Sequence, residues 1–304
     1  MASQRQLSGS NDGTSTAAVR RRRALAVLVL VVALVGVGWA GSSALIGKSA
    51  TPSKATASSD SRSTAVTTTA SSGTPALVNL QGITPLVPGQ AKVMTNAAVP
   101  ERKVALTFDD GFCPACVKKI VDVLEQTGAH ATFFPNGRYA ASWEPQASRI
   151  KALVAKGQLT LGNHTFSHNA STSIGADAFG QDLQRNEDWI EKTFGLTGRP
   201  WFRPPYGDYN AGTVDKAGQL GYTNVVMWSG TVADSSLKSP NYILNAIKFW
   251  AKPGRIILLH GNYPPTAHVL PKILDLLKKK NLTPVTMAEL VKGGTTSDRG
   301  NTGY

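Results

Sequence analysis

Three short strings hold the side chains whose types and spacing could do chemistry. They are Thr107-Phe108-Asp109-Asp110-Gly111, His164-Thr165-Phe166-Ser167-His168 and Leu258-Leu259-His260. Asp109 and Asp110 are adjacent carboxylates, and two carboxylates held close together cannot both ionise cheaply. A divalent cation bound to one removes the conflict and leaves the other as a base. His164 and His168 stand at i and i+4, the spacing that puts two side chains on one face of a helical turn. Such a pair can grip Zn²⁺ at about 2.0–2.1 Å per nitrogen, and a His/His/carboxylate set leaves coordination positions open for catalysis. His260 can titrate near neutral pH and pass a proton to a leaving group. Together these groups point to metal-assisted hydrolysis. Glycosidic cleavage fits less well, because it needs two separated carboxylates flanking the bond. The plain alternatives are a simple Asp-Asp-Gly turn and core histidines. Of the remaining histidines, His130 precedes a strand and reads as structural, while His268 falls in a Pro-rich loop near the expected mouth.

These strings need elements to position them. Apolar, β-branched runs occur at Val104–Phe108, Ala131–Pro135, Leu159–His164, Trp201–Pro204, Thr223–Trp228, Arg255–His260 and Leu282–Thr286. Between them, helical spacing links Val117, Ile120, Val121 and Leu124; Ile150, Leu153 and Val154; Leu183, Ile190 and Phe194; and Leu270, Ile273, Leu274 and Leu277. Gly128, Gly157, Gly195 and Gly221 sit where left-handed residues would end helices. Strand–helix alternation means parallel strands with crossover helices. The expected fold is α/β, a β/α barrel of about seven parallel strands, with an open doubly wound sheet as the alternative. Asp109, Asp110, His164, Arg203, Ser229 and His260 fall at or near strand C-terminal ends, the face where barrels place their chemistry. Arg203-Pro204-Pro205-Tyr206-Gly207 reads as a rigid turn. Arg203 could hold a carboxylate, and amides from Tyr206 onward could face an oxyanion. Trp143, Trp201 and Tyr209 are aromatics that could stack on a ligand.

The rest of the chain sets the context. The first 23 residues end in the basic block Arg20–Arg23, and 24–41 is an uncharged apolar run. Eighteen helical residues span roughly 27 Å, close to a bilayer core. The positive-inside rule then sends the bulk of the chain outward. The expectation is a single-pass signal anchor with an extracytoplasmic domain, or a secreted protein if cleavage follows Ala40. Residues 42–75 are rich in Ser, Thr and Ala and read as a disordered linker. Residues 76–101 read as an extension packed on the main domain, 102–291 as the catalytic domain and 292–304 as a tail. The net charge is +13, with eight Lys/Arg against two Asp/Glu in residues 1–75 and 24 against 17 in the rest. That surplus serves solubility or attraction to a polyanionic surface. No basic stretch interleaves with aromatics, which argues against nucleic acid. Cys113 and Cys116 form a lone C-x-x-C pair. In an exported protein this reads first as a disulfide staple beside the site, with redox or zinc roles less favoured.

The motifs resemble those of the polysaccharide deacetylase family, the NodB-homology domain of carbohydrate esterase family four, over about residues 102–291. The carrying strings are Thr-Phe-Asp-Asp-Gly (107–111), Asn-His-Thr-Phe-Ser-His (163–168), Arg-Pro-Pro-Tyr-Gly (203–207), Trp-Ser…Asp (228–234) and Leu-Leu-His (258–260). The resemblance implies a distorted β/α barrel and one divalent metal, typically zinc, on Asp110, His164 and His168. It implies Asp109 as the general base for the attacking water, oriented by Arg203. The Tyr206 amide would help hold the oxyanion, and His260 would protonate the leaving amine with Asp234 as its partner. The implied reaction is removal of N-acetyl groups from amino sugars of a polysaccharide, peptidoglycan-like first and chitin-like second. An O-acetyl esterase on the same fold and a non-catalytic carbohydrate-binding module are the alternatives. The sequence departs from the family where Ser235 follows Asp234, Gly261 follows His260 and Phe112 precedes the cysteine pair.

Overall fold

The computed structural model describes residues 88–292 and 295–297. The stretches 24–41 and 42–75, expected as anchor and linker, lie outside the described residues. Among the described residues no helix is long and apolar enough to cross a membrane.

Strands β1 (Lys92–Met94) and β2 (Asn96–Ala98) come first, so the segment expected as an extension supplies sheet. Then β3 (Lys103–Asp110), α1 (Pro114–Thr127), β4 (Ala131–Pro135), α2 (Ala140–Trp143), α3 (Ala147–Ala155) and β5 (Leu159–Leu161) follow. The middle of the domain holds α4 (Ala176–Phe194), β6 (Trp201–Phe202), α5 (Ala211–Gln219), β7 (Asn224–Val226) and β8 (Gly230–Thr231). It ends with α6 (Pro240–Trp250), β9 (Ile256–His260), α7 (Pro264–Lys279), β10 (Thr283–Val285), α8 (Met287–Lys292) and β11 (Thr295–Ser297). All seven runs expected as strands carry one.

The strands form two parallel sheets and one small antiparallel pair. The larger sheet has the order β5-β4-β3-β9-β8, with β10 on the first residues of β3. The smaller sheet is β1-β7-β6. A parallel bridge between Asn163 and Phe202 joins them on one side. On the other side a single stretch of chain serves both. Met227 N–H donates to the Met94 carbonyl, and two residues later Ser229 N–H donates to the Ile256 carbonyl. The strands therefore curl into a distorted barrel rather than run as one open sheet. The expected tail contributes β11, antiparallel to β2.

The central strand β3 is buried along nearly its whole length, as a parallel strand covered on both faces must be. Helices cover the larger sheet with the residues that the spacing singled out: Val117, Ile120, Val121 and Leu124 of α1, and Leu270, Ile273 and Leu277 of α7, are buried. Gly128 (φ 68) and Gly195 (φ 63) end α1 and α4 in the left-handed conformation that a Cβ disfavours.

Candidate active site

Each functional side chain sits at the C-terminal end of a strand or in the loop just after it. Asp109 and Asp110 close β3, where Asp109 pairs with His260 at the end of β9. Asp110 has φ 65, and this left-handed turn swings its carboxylate into the same mouth as that of Asp109. Gly111 (φ 104) is required there, because a Cβ would lie 2.2 Å from Trp143 Nε1. Trp143 instead donates from Nε1 to the Asp110 carbonyl at 2.7 Å and fixes the turn.

His164 and His168 converge differently from the expected helical turn. Residues 162–170 form a loop with left-handed Thr165 (φ 60) and His168 (φ 56). The loop is held from below: Asn136 Nδ2 donates to the carbonyls of His164 and Thr165, both at 2.9 Å, and Thr165 N–H donates to Asn163 Oδ1 at 2.9 Å. Ser167 is tied to the Asp182 carboxylate. The two imidazole rings end 5.0 Å apart.

The geometry of a cation seat follows. Asp110 Oδ1 lies 3.4 Å from His164 Nε2 and 3.1 Å from His168 Nε2. The three ligand atoms all lie within 4.8 Å of one another. His164 Nδ1 stands 2.7 Å from the Arg203 carbonyl, an acceptor only. Nδ1 must therefore carry the proton, and in the neutral ring Nε2 presents its lone pair to Asp110. Asp110 Oδ1 is buried and has no hydrogen-bond partner, although the opposite oxygen, Oδ2, accepts from Asn262 Nδ2 at 2.7 Å. Lone pairs facing lone pairs in a buried pocket fit a divalent cation well. The protons tell the same story. Burial alone would raise the Asp110 carboxyl, but His164 and His168 hold it well below the usual carboxylate range. Burial disfavours charge on His164, yet Asp109 and Asp110 raise its pKa above the ordinary imidazole value. The pocket thus attracts positive charge, and a proton is the competitor of a metal ion.

Asp109 is held from the barrel interior. Arg203 is fully buried and donates from Nη1 to Asp109 Oδ1 at 2.8 Å and to Thr107 Oγ1 at 2.7 Å. Its Nε and Nη2 reach the Val226 and Met227 carbonyls at 2.8 and 3.2 Å, at the place where the chain crosses between the two sheets. The guanidinium lies over the Phe134 ring at 4.4 Å. Burial lowers the pKa of Arg203, opposed by Asp109, and the side chain keeps its charge. Asp109 Oδ2, 3.7 Å from His164 Nε2, faces the seat.

His260 and Asp234 form a second buried pair. His260 Nδ1 lies 2.8 Å from Asp234 Oδ1, and the His260 backbone N–H donates to Asp234 Oδ2 at 3.0 Å. Thr266 Oγ1 donates to the same oxygen at 2.6 Å. Burial alone would lower the imidazole pKa, but Asp234, helped by Asp110 and Asp109, lifts it to about 9. His260 is therefore protonated at neutral pH. Tyr206 (φ 59) sits in the tight turn after Arg203 and packs its exposed ring on His168, with centroids 4.6 Å apart. Asp208 ties this turn to the histidine loop by accepting from the Thr172 backbone N–H and hydroxyl.

Asp109, Asp110, His164, His168, Tyr206 and His260 thus border one place, with Arg203 and Asp234 behind them holding Asp109 and His260. A cavity of about 980 Å³ opens there, lined among others by Asp109, Asp110, His164, His168, Tyr206 and His260. Other expectations are corrected. Ser229 lies beside the start of β9, with its hydroxyl facing the Ile256 N–H, away from the mouth. His268 stands exposed on α7 rather than in a loop, because Pro264 and Pro265 open a helix. Trp143 and Trp201 are core residues and cannot stack on a sugar. The exposed aromatics at the cavity are Phe112, Tyr206, Tyr242 and Phe249. His130 pairs with Glu289 on the far side of β4. Cys113 and Cys116 are disulfide-bonded at the start of α1. Sequence reasoning missed Asn262, which holds Asp110 Oδ2 and accepts from the Phe112 N–H at 3.0 Å. Its only signal was its place in the loop two residues after His260.

Comparison with known proteins agrees with this geometry. A family model described as polysaccharide deacetylase matches residues 96–225. A peptidoglycan-N-acetylglucosamine deacetylase of Bacillus cereus is 32% identical over 196 residues, covering 63% of this chain and 89% of the relative. A chitooligosaccharide deacetylase of Rhizobium leguminosarum bv. trifolii is 30% identical over 169 residues, covering 56% and 76%. Among solved structures, a family 4 carbohydrate esterase from Streptomyces lividans in complex with acetate superposes with a TM-score of 0.56. It is 28% identical and covers 66% of this chain and 100% of that one.

Proposed function

The chain belongs to the polysaccharide deacetylase family and is a polysaccharide deacetylase; from that premise we propose how its residues carry out the hydrolysis and on which glycan. The substrate is an N-acetylated amino-sugar polymer of the cell wall, peptidoglycan-like first and chitin-like second, and the reaction is metal-dependent. Asp110, His164 and His168 hold one divalent cation, most readily Zn²⁺ given two imidazoles and one carboxylate. When bound, it supplies Lewis acidity to the amide carbonyl and lowers the pKa of nearby water.

The remaining steps belong to the chain. Asp109, fixed by Arg203 and turned toward the seat, takes the proton of the attacking water. The Tyr206 backbone N–H faces the developing oxyanion. His260, charged at neutral pH through Asp234, gives its proton to the departing nitrogen, so the amine leaves neutral. Asp234 keeps the imidazole oriented with Nε2 toward the cavity. The apolar segment 24–41 anchors the protein in the membrane with this domain outside, and the linker lets it reach the wall.

The observation that carries the reading is the buried Asp110 Oδ1, without a donor and facing two imidazole nitrogens. The test is acetate release from N-acetylated oligosaccharides by the full chain, with zinc, with a chelator and for Asp109→Asn. Release that the chelator and the substitution both abolish supports the proposal. Sugar binding with no release under any condition supports a non-catalytic module instead. Release from O-acetylated but not N-acetylated sugars supports an esterase.

A further inference from the structure

The scissile amide has two sides of unequal size. A glycan chain is too large to descend into the barrel and stays at the rim, so the acyl substituent points down. What lies below sets which acyl groups fit. Leu258 precedes His260 by two residues on β9, so it faces the same way one step deeper. Leu258 is 6% exposed and Trp228 2%, yet both line the cavity, which makes them its floor.

The cavity does not stop at that floor. It continues between β8 and α6, where Thr231, Ala246 and Trp250 line it. The helix lies close to the strand, since a Cβ on Gly230 would meet Trp250 Cβ at 2.6 Å. Ala246 is one turn before Trp250 on the same face and offers only a methyl group. Ile243 and Ile247 of α6 are buried in the core, and Ala246 and Trp250 pack partly against the same cluster while also lining the cavity, so at 246 the wall is only a methyl group deep. A recess with an apolar floor and a missing side chain in its wall is wider than an acetyl methyl needs.

We infer that this pocket accepts N-acyl groups longer than acetyl, of three and four carbons, and that Ala246 sets the limit. The inference rests on the deacylation reading above. The chemistry is unchanged: water adds to the acyl carbon, the C–N bond breaks, and the carboxylate and the amine leave. A site that ends at acetyl rejects one added methylene by about 10–200-fold. An apolar recess that buries it gains up to roughly fourfold in binding.

The experiment uses the full chain with zinc and one chitotetraose scaffold carrying N-acetyl, N-propionyl or N-butyryl groups, read as free amine by mass spectrometry. Expected kcat/KM values for the three lie within about fivefold of one another. For Ala246→Leu the butyryl-to-acetyl ratio of kcat/KM falls at least tenfold, and for the smaller step Ala246→Val it falls in weaker form. A wild-type loss of more than tenfold on N-propionyl overturns the inference. So does an equal loss on all three substrates in both variants. Failure to release acetate as well removes the deacylation reading itself, which separates the two outcomes.

Discussion

Replacing Asp234 by Asn keeps the shape of the His260 pair and removes its charge. Asn can still accept from His260 Nδ1–H, while its amide replaces the oxygen that now accepts from the His260 N–H and the Thr266 hydroxyl. The imidazole loses the charge that lifts its pKa to about 9, while the burial that opposes ionisation stays. Its pKa then falls to near the ordinary value of about 6.5, because the remaining pull of Asp110 and Asp109 opposes burial. At pH 8 the protonated fraction drops from about 90% to about 3%, and at pH 6 it stays above roughly 70%. Activity that needs this proton therefore falls up to about 30-fold at pH 8 and less than about twofold at pH 6. A bound cation offsets the pull of Asp110 and Asp109, so in the loaded enzyme the basic limb lies at or below about 9. The assay is kcat/KM for acetate release between pH 5.5 and 9.5, with zinc fixed. The account requires the basic limb to move down in the variant. A loss of equal size at every pH, or an unmoved limb, refutes the acid role of His260.

Other outcomes follow from the same geometry. Asn262→Ala removes the amide that holds Asp110 Oδ2, and zinc affinity measured by chelator competition should fall about 10–100-fold. Arg203→Lys cannot serve four buried acceptors, and the stranded Val226 and Met227 carbonyls should cost about 2–4 kcal/mol in urea unfolding. Because the His164 pKa is raised above the ordinary imidazole value and a metal ion must displace that proton, zinc binding should weaken steadily as pH falls below neutral, read by isothermal titration. In the metal-free chain, the raised His260 pKa contributes stability that is fully present below about 6.5 and lost as pH rises through about 9. The loss amounts to about 3 kcal/mol, and chemical unfolding across that window should show it for wild type and not for Asp234→Asn.

Most of the seven parallel runs were legible because they bury both faces and so read as continuous apolar stretches; β10, with Thr283 exposed, is the exception. Helices α1 and α7 were legible because they are half-buried and keep a clean stripe. Helix α6 carries the same kind of stripe, with Ile243, Ala246, Ile247 and Trp250 against the core and Tyr242 and Phe249 widening it toward the cavity. Strand β8 is two residues long, too short for any period. Among the site residues, types and order were readable but approach was not. The i,i+4 histidines suggested a helical turn, and the chain instead brings them together through Thr165 and His168 in left-handed conformations. The crossing at Met227–Ser229, which makes Arg203 the seam of the barrel, depends on pairing between distant strands and leaves no local trace.

The central claim is that one cation on Asp110, His164 and His168 makes this chain a hydrolase. The most direct measurement is X-ray absorption at the zinc edge on the full chain reconstituted with one equivalent of zinc, alongside acetate release. The account predicts two nitrogen ligands at about 2.0–2.1 Å with oxygen completing the shell, and loss of both signal and activity in His168→Ala. Sulfur in the first shell, or full activity after the metal has been stripped, contradicts it.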